Sequence, residues 1–178
     1  MREKKNIIEL TRVTRDEYRA LRKLPLTVLT DNVRSAQNIG SIFRTADAMK
    51  VARVVLGGIS PVPPSPEISK TALGAEESVE WRHVADAVAE VRRLKSKGMK
   101  VYVLEQAHGS VDLRHLGRVL DRDAGSLLVV GNEVNGVDQR IVDMSDTVLE
   151  IPMHGVKHSL NVSVSAGIAL WEFYREFI

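Results

Sequence analysis

Two short apolar runs near the end of the chain each stop at a turn rich in Gly, Asn or Pro, and they constrain the fold more than any other feature. The first run covers residues 127–130 and is followed by GNEVNG at 131–136; the second covers residues 147–151 and is followed by Pro152. A helix-length segment with a row of polar residues then follows. Ligands of open α/β sheets bind in crevices outside the carboxyl ends of the strands. The two strand ends therefore predict a binding pocket.

Strand-like and helix-like segments alternate through the rest of the chain. Short apolar segments predict strands at residues 26–30, 53–56, 79–81, 101–104, 126–130 and 147–151. Helical spacing of apolar residues predicts helices at residues 14–23, 37–50, 84–94 and 138–144. The last segment, 159–178, shows both periodicities, and its length favours a helix. This alternation predicts an α/β fold with an open, mostly parallel sheet and helices on both faces.

Punctuating residues refine these boundaries. Thr14 and Glu17 have the spacing of a capping box, Asn38 is a candidate N-cap, and Gly98 is a helix stop. Residues 60–78 contain four of the six prolines and then Gly74, which predicts a long loop. A loop of this length is more often functional or mobile than idle.

Charge divides the chain into a basic N-terminal arm, residues 1–25, and a main domain, residues 26–178. The arm carries eight Lys or Arg against four acids, a net charge of +4, which leaves −2 on the rest of a chain whose total is +2. A basic helical arm suits a polyanion such as RNA. The alternative interpretation is a solvated helix face.

Several classes of protein are disfavoured by what the sequence lacks. The sequence contains no cysteine, so we expect no disulfides. It has no long apolar span, so we expect no membrane segment, and its N-terminal run has only two apolar residues, too few for a signal peptide. We therefore expect a cytoplasmic location. His154 and His158 have a spacing that metals use, but no third ligand accompanies them, so we expect no metal. The turn at 131–136 is not a dinucleotide fingerprint, and no phosphate-binding loop with Gly-Lys-Ser/Thr occurs.

Each polar residue near the predicted strand ends has a structural and a functional interpretation. Arg44 is either a solvated arginine pairing with Asp47 or a phosphate ligand. Glu133 is either a capping carboxylate or a group close to a cationic cofactor or a ribose hydroxyl. Ser159 and Asn161 are either helix caps or catalytic groups.

Three motifs in order resemble the SpoU/TrmH-type RNA ribose 2′-O-methyltransferases of the SPOUT superfamily. The first motif resembles Asn-x-Gly-x-x-x-Arg-x-Ala and is met by Asn38, Gly40, Arg44 and Ala46; the second, Gly-x-Glu-x-x-Gly, is met at 131–136. The third is Ile-Pro-Met at 151–153, followed by Ser-Leu-Asn-Val-Ser at 159–163. The match extends from Leu26 to Phe173.

The resemblance implies a fold and a cofactor. In that family the C-terminal segment threads a loop to form a deep trefoil knot, whereas general rules of chain topology predict an unknotted sheet. The family uses S-adenosylmethionine. The positions that the resemblance assigns to cofactor binding are Gly131, Asn132, Ile151, Met153 and Leu160.

The resemblance also implies a reaction, the methylation of a ribose 2′-hydroxyl in tRNA or rRNA. The positions it assigns to catalysis are Asn38, Arg44, Glu133, Ser159 and Asn161. The family treats the arginine as the general base, but a guanidinium stays protonated in proteins. We favour a role for Arg44 in clamping the adjacent phosphate and stabilising the developing oxyanion, with a phosphate or water accepting the proton.

Assembly and RNA recruitment are further expectations. Family members are homodimers in which the arginine of one subunit faces the cofactor of the other. No ribosomal-protein-like N-terminal domain or basic C-terminal extension is expected here, so RNA recruitment would depend on the arm and on dimer surfaces. The candidate RNA ligands are Arg19, Arg22, Lys23 and Arg34. The alternatives are a catalytically idle RNA-binding scaffold, and a methyltransferase for an RNA base or a protein.

Overall fold

A computed structural model describes residues 2–6 and 13–178. Within these residues, seven strands form one sheet in the order β3-β2-β1-β6-β4-β7-β5, and every pairing is parallel. The strands are β1 Leu24–Asp31, β2 Val51–Gly57, β3 Glu80–Val84, β4 Lys100–Leu104, β5 Val111–Asp112, β6 Ser126–Val130 and β7 Thr147–Glu150. The predicted parallel sheet is confirmed, and β5 is an edge strand that the sequence pattern did not reveal.

Helices connect the strands. They are α1 Arg15–Ala20, α2 Ala36–Ala48, α3 Pro66–Ala72, α4 Ala75–Ser78, α5 Ala87–Ser96, α6 Gln139–Met144 and α7 Val162–Phe177, with a 3₁₀ helix at Leu113–Arg118. The last segment is helical, as its length predicted. The prediction that Val84 begins a helix is wrong: Val84 ends β3, and α5 starts after its N-cap Asp86.

Helices cover both faces of the sheet, as predicted. The four central strands, β2, β1, β6 and β4, are buried on both sides, so neighbouring residues such as Tyr102 and Val103 belong to different hydrophobic cores. One core joins the sheet to α2, α3, α7 and the 3₁₀ helix, and the other joins it to α5 and α6. This double burial explains why the strands appear in the sequence as continuous apolar runs.

The prediction of a long loop at residues 60–78 is wrong, because α3 and α4 lie within it. Pro66 occupies the first turn of α3, where a missing N–H costs nothing, and Ile68 and Ala72 are buried against the core. The α3 backbone passes so close to Gly40 of α2 that a Cβ there would overlap Ile68 O and Thr71 Oγ1. The glycine of the first motif therefore permits a helix crossing.

The N-terminal arm docks onto the main domain through α1. Its capping box at Thr14 is present, but the helix ends at Ala20, earlier than the predicted Lys23. Tyr18 is buried and its hydroxyl donates to Asp47 O at 3.0 Å. The Lys23 ammonium lies 3.0 Å from the centroid of the Tyr18 ring. Arg12, also assigned to the arm, lies outside the described residues.

The family resemblance also implies a trefoil knot, which depends on how the chain threads and not on the order of strands. It stays a prediction. No helix among the described residues combines the length and the apolar character needed to cross a bilayer.

Candidate active site

A cleft with a volume of about 500 Å³ opens at the carboxyl ends of β4 and β6 and is bordered by the segment after β7. All five residues predicted to bind a cofactor line it: Gly131, Asn132, Ile151, Met153 and Leu160. Glu133, Ser159 and Asn161 line it as well. The pocket predicted from the two strand ends is therefore present, with polar groups on apolar walls as in most ligand sites.

The turn after β6 is a closed structural unit. Asn132 and Gly136 exchange two backbone hydrogen bonds of 3.0 Å, and Gly136 has a φ of 68°, which glycine adopts without strain. A Cβ at Gly131 would overlap the Gly136 backbone. The Asn132 side chain accepts from the backbone N–H of Val134 and donates to Asn32 O at 2.7 Å. Asn132 therefore shapes this turn.

Glu133 extends from this turn to the start of α2. Its carboxylate accepts hydrogen bonds from Arg34 N at 2.9 Å, Ser35 N at 3.0 Å and Asn38 Nδ2 at 2.9 Å. Partial burial raises the pKa of Glu133, but these hydrogen bonds outweigh burial and hold the pKa below its ordinary value. Both oxygens are occupied, as the capping interpretation of Glu133 predicts.

Asn38 connects the first motif to the third. Its side chain, which is buried, accepts through Oδ1 from Asn161 Nδ2 at 3.0 Å. Asn38 is not the N-cap of α2, because Ser35 caps that helix and Asn38 lies one turn inside it. Asn161 is the N-cap of α7 and accepts from Ser163 N at 2.9 Å. The chain Glu133–Asn38–Asn161 thus joins all three motifs by hydrogen bonds.

Two predicted catalytic residues, Ser159 and Arg44, do not belong to this hydrogen-bonded series. Ser159 is exposed in the cleft and makes no hydrogen bond with any described residue. Arg44 is exposed on α2, outside the cleft lining, and makes no hydrogen bond or ion pair within residues 2–6 and 13–178. The predicted pairing of Arg44 with Asp47 is therefore wrong, because Asp47 instead neighbours Tyr18 and Lys23.

The four candidate RNA ligands fall into two pairs. Arg19 lies 3.7 Å from Asp16 and donates to Glu77 O, and Lys23 donates to Tyr18 O while covering its ring. Arg22 and Arg34 are exposed, and neither side chain has a hydrogen-bond partner in the described part of the chain. Arg22 and Arg34 are therefore better placed than Arg19 and Lys23 to contact phosphate.

Sequence reasoning missed Glu105 and Gln106, which also line the cleft. Glu105 accepts from Val137 N at 3.1 Å, and Gln106 Nε2 donates to His158 O. Both residues directly follow β4. The rule that ligands bind at strand ends would have identified them had it been applied to this strand.

The described residues contain no group of three or more His, Asp or Glu side chains arranged to hold a metal ion. His154 and His158 are both exposed, and His158 lines the cleft.

Comparison with known proteins gives consistent matches. The profile of the SpoU rRNA Methylase family matches residues 25–171. A 23S rRNA (guanosine-2′-O-)-methyltransferase RlmB of Neisseria meningitidis serogroup B is 32% identical over 161 residues, 90% of this chain and 62% of the relative. A putative TrmH family tRNA/rRNA methyltransferase of Staphylococcus aureus strain COL is 34% identical over 152 residues, 85% of this chain and 59% of the relative.

Solved structures agree with these matches. The crystal structure of an A. aeolicus TrmH/SpoU tRNA modifying enzyme has a TM-score of 0.79 and 30% identity, covering 91% of this chain and 80% of that one. The AdoMet-bound rRNA methyltransferase from Sinorhizobium meliloti has a TM-score of 0.79 and 28% identity, covering 90% of this chain and 60% of that one. The chain spans less than two thirds of the length of the curated relatives it matches.

Proposed function

Because the chain belongs to the SpoU rRNA methylase family, we propose that it is an S-adenosylmethionine-dependent methyltransferase that methylates a ribose 2′-hydroxyl in tRNA or rRNA. One observation carries the proposal. The hydrogen-bonded chain Glu133–Asn38–Asn161 joins the three motifs at a cleft that the predicted cofactor residues line.

The cleft suits a cationic nucleoside. Two carboxylates, Glu105 and Glu133, line it, and none of its described lining residues is Lys or Arg. Leu104, Ile151 and Leu160 supply apolar surface for an adenine ring. When bound, S-adenosylmethionine supplies a methyl group from a positively charged sulfonium. An electronegative pocket with apolar walls matches that charge and shape.

The two hydrogen bonds of the Asn38 side chain have a defined direction. Glu133 holds the Asn38 NH₂ group, so the Asn38 oxygen is aimed at Asn161 and fixes the start of α7 beside the cleft. Ser159, two residues earlier, lines the cleft, and its hydroxyl has no hydrogen-bond partner among the described residues. In this proposal Glu133 and Asn38 position the site, and Ser159 and Asn161 contact the ribose.

Arg44 supplies the positive charge for the RNA. A ribose hydroxyl is a poor nucleophile and loses its proton during attack. The Arg44 guanidinium clamps the adjacent phosphate and stabilises the developing oxyanion, and a phosphate oxygen or water accepts the proton. The competing role, Arg44 as general base, requires loss of a guanidinium proton.

We propose further that the protein is a homodimer. The helix α7 exposes Val164, Ile168 and Trp171 at positions i, i+4 and i+7, an apolar stripe of the kind that marks an interface. Thr45 follows Arg44 on α2. Its Cγ2 lies 4.0 Å from the position that a Cβ on Gly167 of α7 would occupy. Arg44 lies on the helix that packs against α7 and does not line its own cleft, as expected if it serves the partner's cleft.

The small residues of α7 have a role within the chain. Ala166 is fully buried in the core of its own chain, and the Gly167 site faces Thr45. These small residues let α7 approach α2 within one chain, and the larger exposed residues are left for a partner.

The test is nucleoside mass spectrometry of RNA. The purified protein should bind S-adenosylmethionine by calorimetry, and RNA from cells lacking the gene should lose one 2′-O-methylated nucleoside that the protein restores in vitro. Cofactor binding without methyl transfer to any RNA would favour the idle scaffold, and methylation on a base or protein would favour the other alternative. No detectable cofactor binding would reject the proposal as a whole.

A further inference from the structure

Glu105 presents a carboxylate to the cleft from the end of β4. Its Oε2 accepts from Val137 N at 3.1 Å, and its Oε1 accepts from Gln106 N at 2.8 Å. A Cβ added at Gly136 would overlap Oε2, so the carboxylate lies against bare backbone. Two backbone donors thus hold this group in one orientation at the cleft wall.

The Glu105 carboxylate retains unused hydrogen-bonding capacity. A carboxylate offers about four lone-pair sites, and Glu105 accepts two hydrogen bonds from described residues, whereas Glu133 accepts three. No Lys or Arg among the described residues lines the cleft to neutralise it. Glu105 lines the cleft and therefore has lone pairs available to a ligand bound there.

We propose that Glu105 binds the nucleoside cofactor directly, by accepting hydrogen bonds from the 2′- and 3′-hydroxyls of its ribose; this rests on the proposed function. A ribose diol presents two adjacent donors, and acidic residues at strand ends bind such diols in other α/β nucleotide sites. A sulfonium has no hydrogen to donate, so it would leave the free lone pairs of Glu105 unsatisfied.

The experiment compares ligands that differ by one hydroxyl. Calorimetry measures the affinities of S-adenosylhomocysteine and its 2′-deoxy analogue for the wild type, Glu105→Gln and Glu150→Gln. Glu150 is the matched control, because it ends the neighbouring strand β7 and does not line the cleft. The wild type should prefer the hydroxylated ligand by roughly 10- to 100-fold, the range for a hydrogen bond to a charged group.

In Glu105→Gln the preference should fall to within about threefold, because a neutral amide removes the charge that strengthens these bonds. Glu150→Gln should keep the wild-type preference. Equal weakening of both ligands by Glu105→Gln would mean that Glu105 only supports the turn, and would overturn the proposal. A loss confined to S-adenosylmethionine, with S-adenosylhomocysteine unaffected, would assign Glu105 to the sulfonium and overturn it too.

A second variant keeps the proposal testable if Glu105→Gln does not fold. Glu105→Asp retains the charge but shortens the side chain, and its preference for the hydroxylated ligand should also fall. An unchanged preference in a folded Glu105→Asp protein would overturn the proposal. Failure of the wild type to bind either ligand would instead reject the proposed function, so the two failures are distinguishable.

Discussion

The side-chain amide of Asn38 donates a 2.9 Å hydrogen bond to the Glu133 carboxylate, although 95 residues separate them in the chain. The same Asn38 accepts a 3.0 Å bond from Asn161, which is 123 residues further on. Three separate motifs therefore act as one hydrogen-bonded unit, and its members should respond to mutation together.

Asn38→Ala and Asn161→Ala should be non-additive. Each single change leaves the other residue without its partner, so the double variant should lose less stability than the two losses combined. The coupling for residues in one network is about 0.5–3 kcal/mol. Urea unfolding of the four proteins measures it, and strict additivity would show that the Asn38–Asn161 bond contributes nothing. A cycle of Asn38→Ala with the remote Arg92→Ala is the additive control.

Glu133→Gln should lower the free energy of unfolding by about 0.5–2 kcal/mol at neutral pH, the range for losing a cap. Both carboxylate oxygens of Glu133 accept hydrogen bonds, whereas a glutamine amide has only one oxygen that can accept. The pKa of Glu133 lies below its ordinary value of 4.5. Its stabilisation is therefore complete above that value and is lost as pH falls through the lowered pKa.

The stability difference between wild type and Glu133→Gln should therefore shrink in acid. Denaturant unfolding at pH 7 and at about pH 3 measures this difference. Glu3→Gln, at an exposed glutamate, is the control and should show no such trend. If the stability difference stays constant across this pH range, the negative charge of Glu133 does not contribute to the cap.

Gly40→Ala should destabilise the protein by about 1–3 kcal/mol, the range for overpacking, because the new methyl group overlaps Ile68 O of α3. Gly155→Ala is a matched control, since a Cβ there meets nothing within 4 Å. Thermal or urea unfolding compares the two. Equal effects at both positions would refute the helix-crossing role of the motif glycine.

Arg44→Ala should reduce methylation by roughly 10²–10³-fold while leaving folding and cofactor affinity near normal, because the exposed side chain makes no hydrogen bond or ion pair with any described residue. Arg92→Ala, at an exposed arginine on α5, should retain activity. Mixing Arg44→Ala with Ser159→Ala subunits should restore part of the activity if the two residues act in trans. Light scattering that shows a monomer at assay concentration would exclude the trans arrangement.

Arg22→Ala and Arg34→Ala should weaken RNA binding about equally across sequences and flatten the salt dependence by about one unit of log–log slope for each lost phosphate contact. Lys23→Ala should leave the slope unchanged and lower stability by about 0.5–1 kcal/mol, because it removes the cation–π contact with Tyr18. Binding titrations at several salt concentrations test both. A slope unchanged in all three variants would mean that RNA docks elsewhere.

Local sequence patterns predicted most elements of the fold and a pocket at two strand ends. Continuous apolar runs identified the strands, because burial on both faces of a parallel sheet leaves no polar alternation. Turn residues after the runs at 127–130 and 147–151 identified the pocket, because strand ends are where such sheets bind ligands. These signals are local, since each depends on residues within a few positions of one another.

Which polar groups meet depends on contacts between residues that are distant in the chain. The order of the strands brings the end of β6 beside the start of α2, so Glu133 caps Arg34 and Ser35 and holds Asn38. No local pattern encodes that contact. The helices at 66–78 likewise form because Ile68 and Ala72 are buried against α2, and that burial outweighs the preference of a proline-rich segment for a loop.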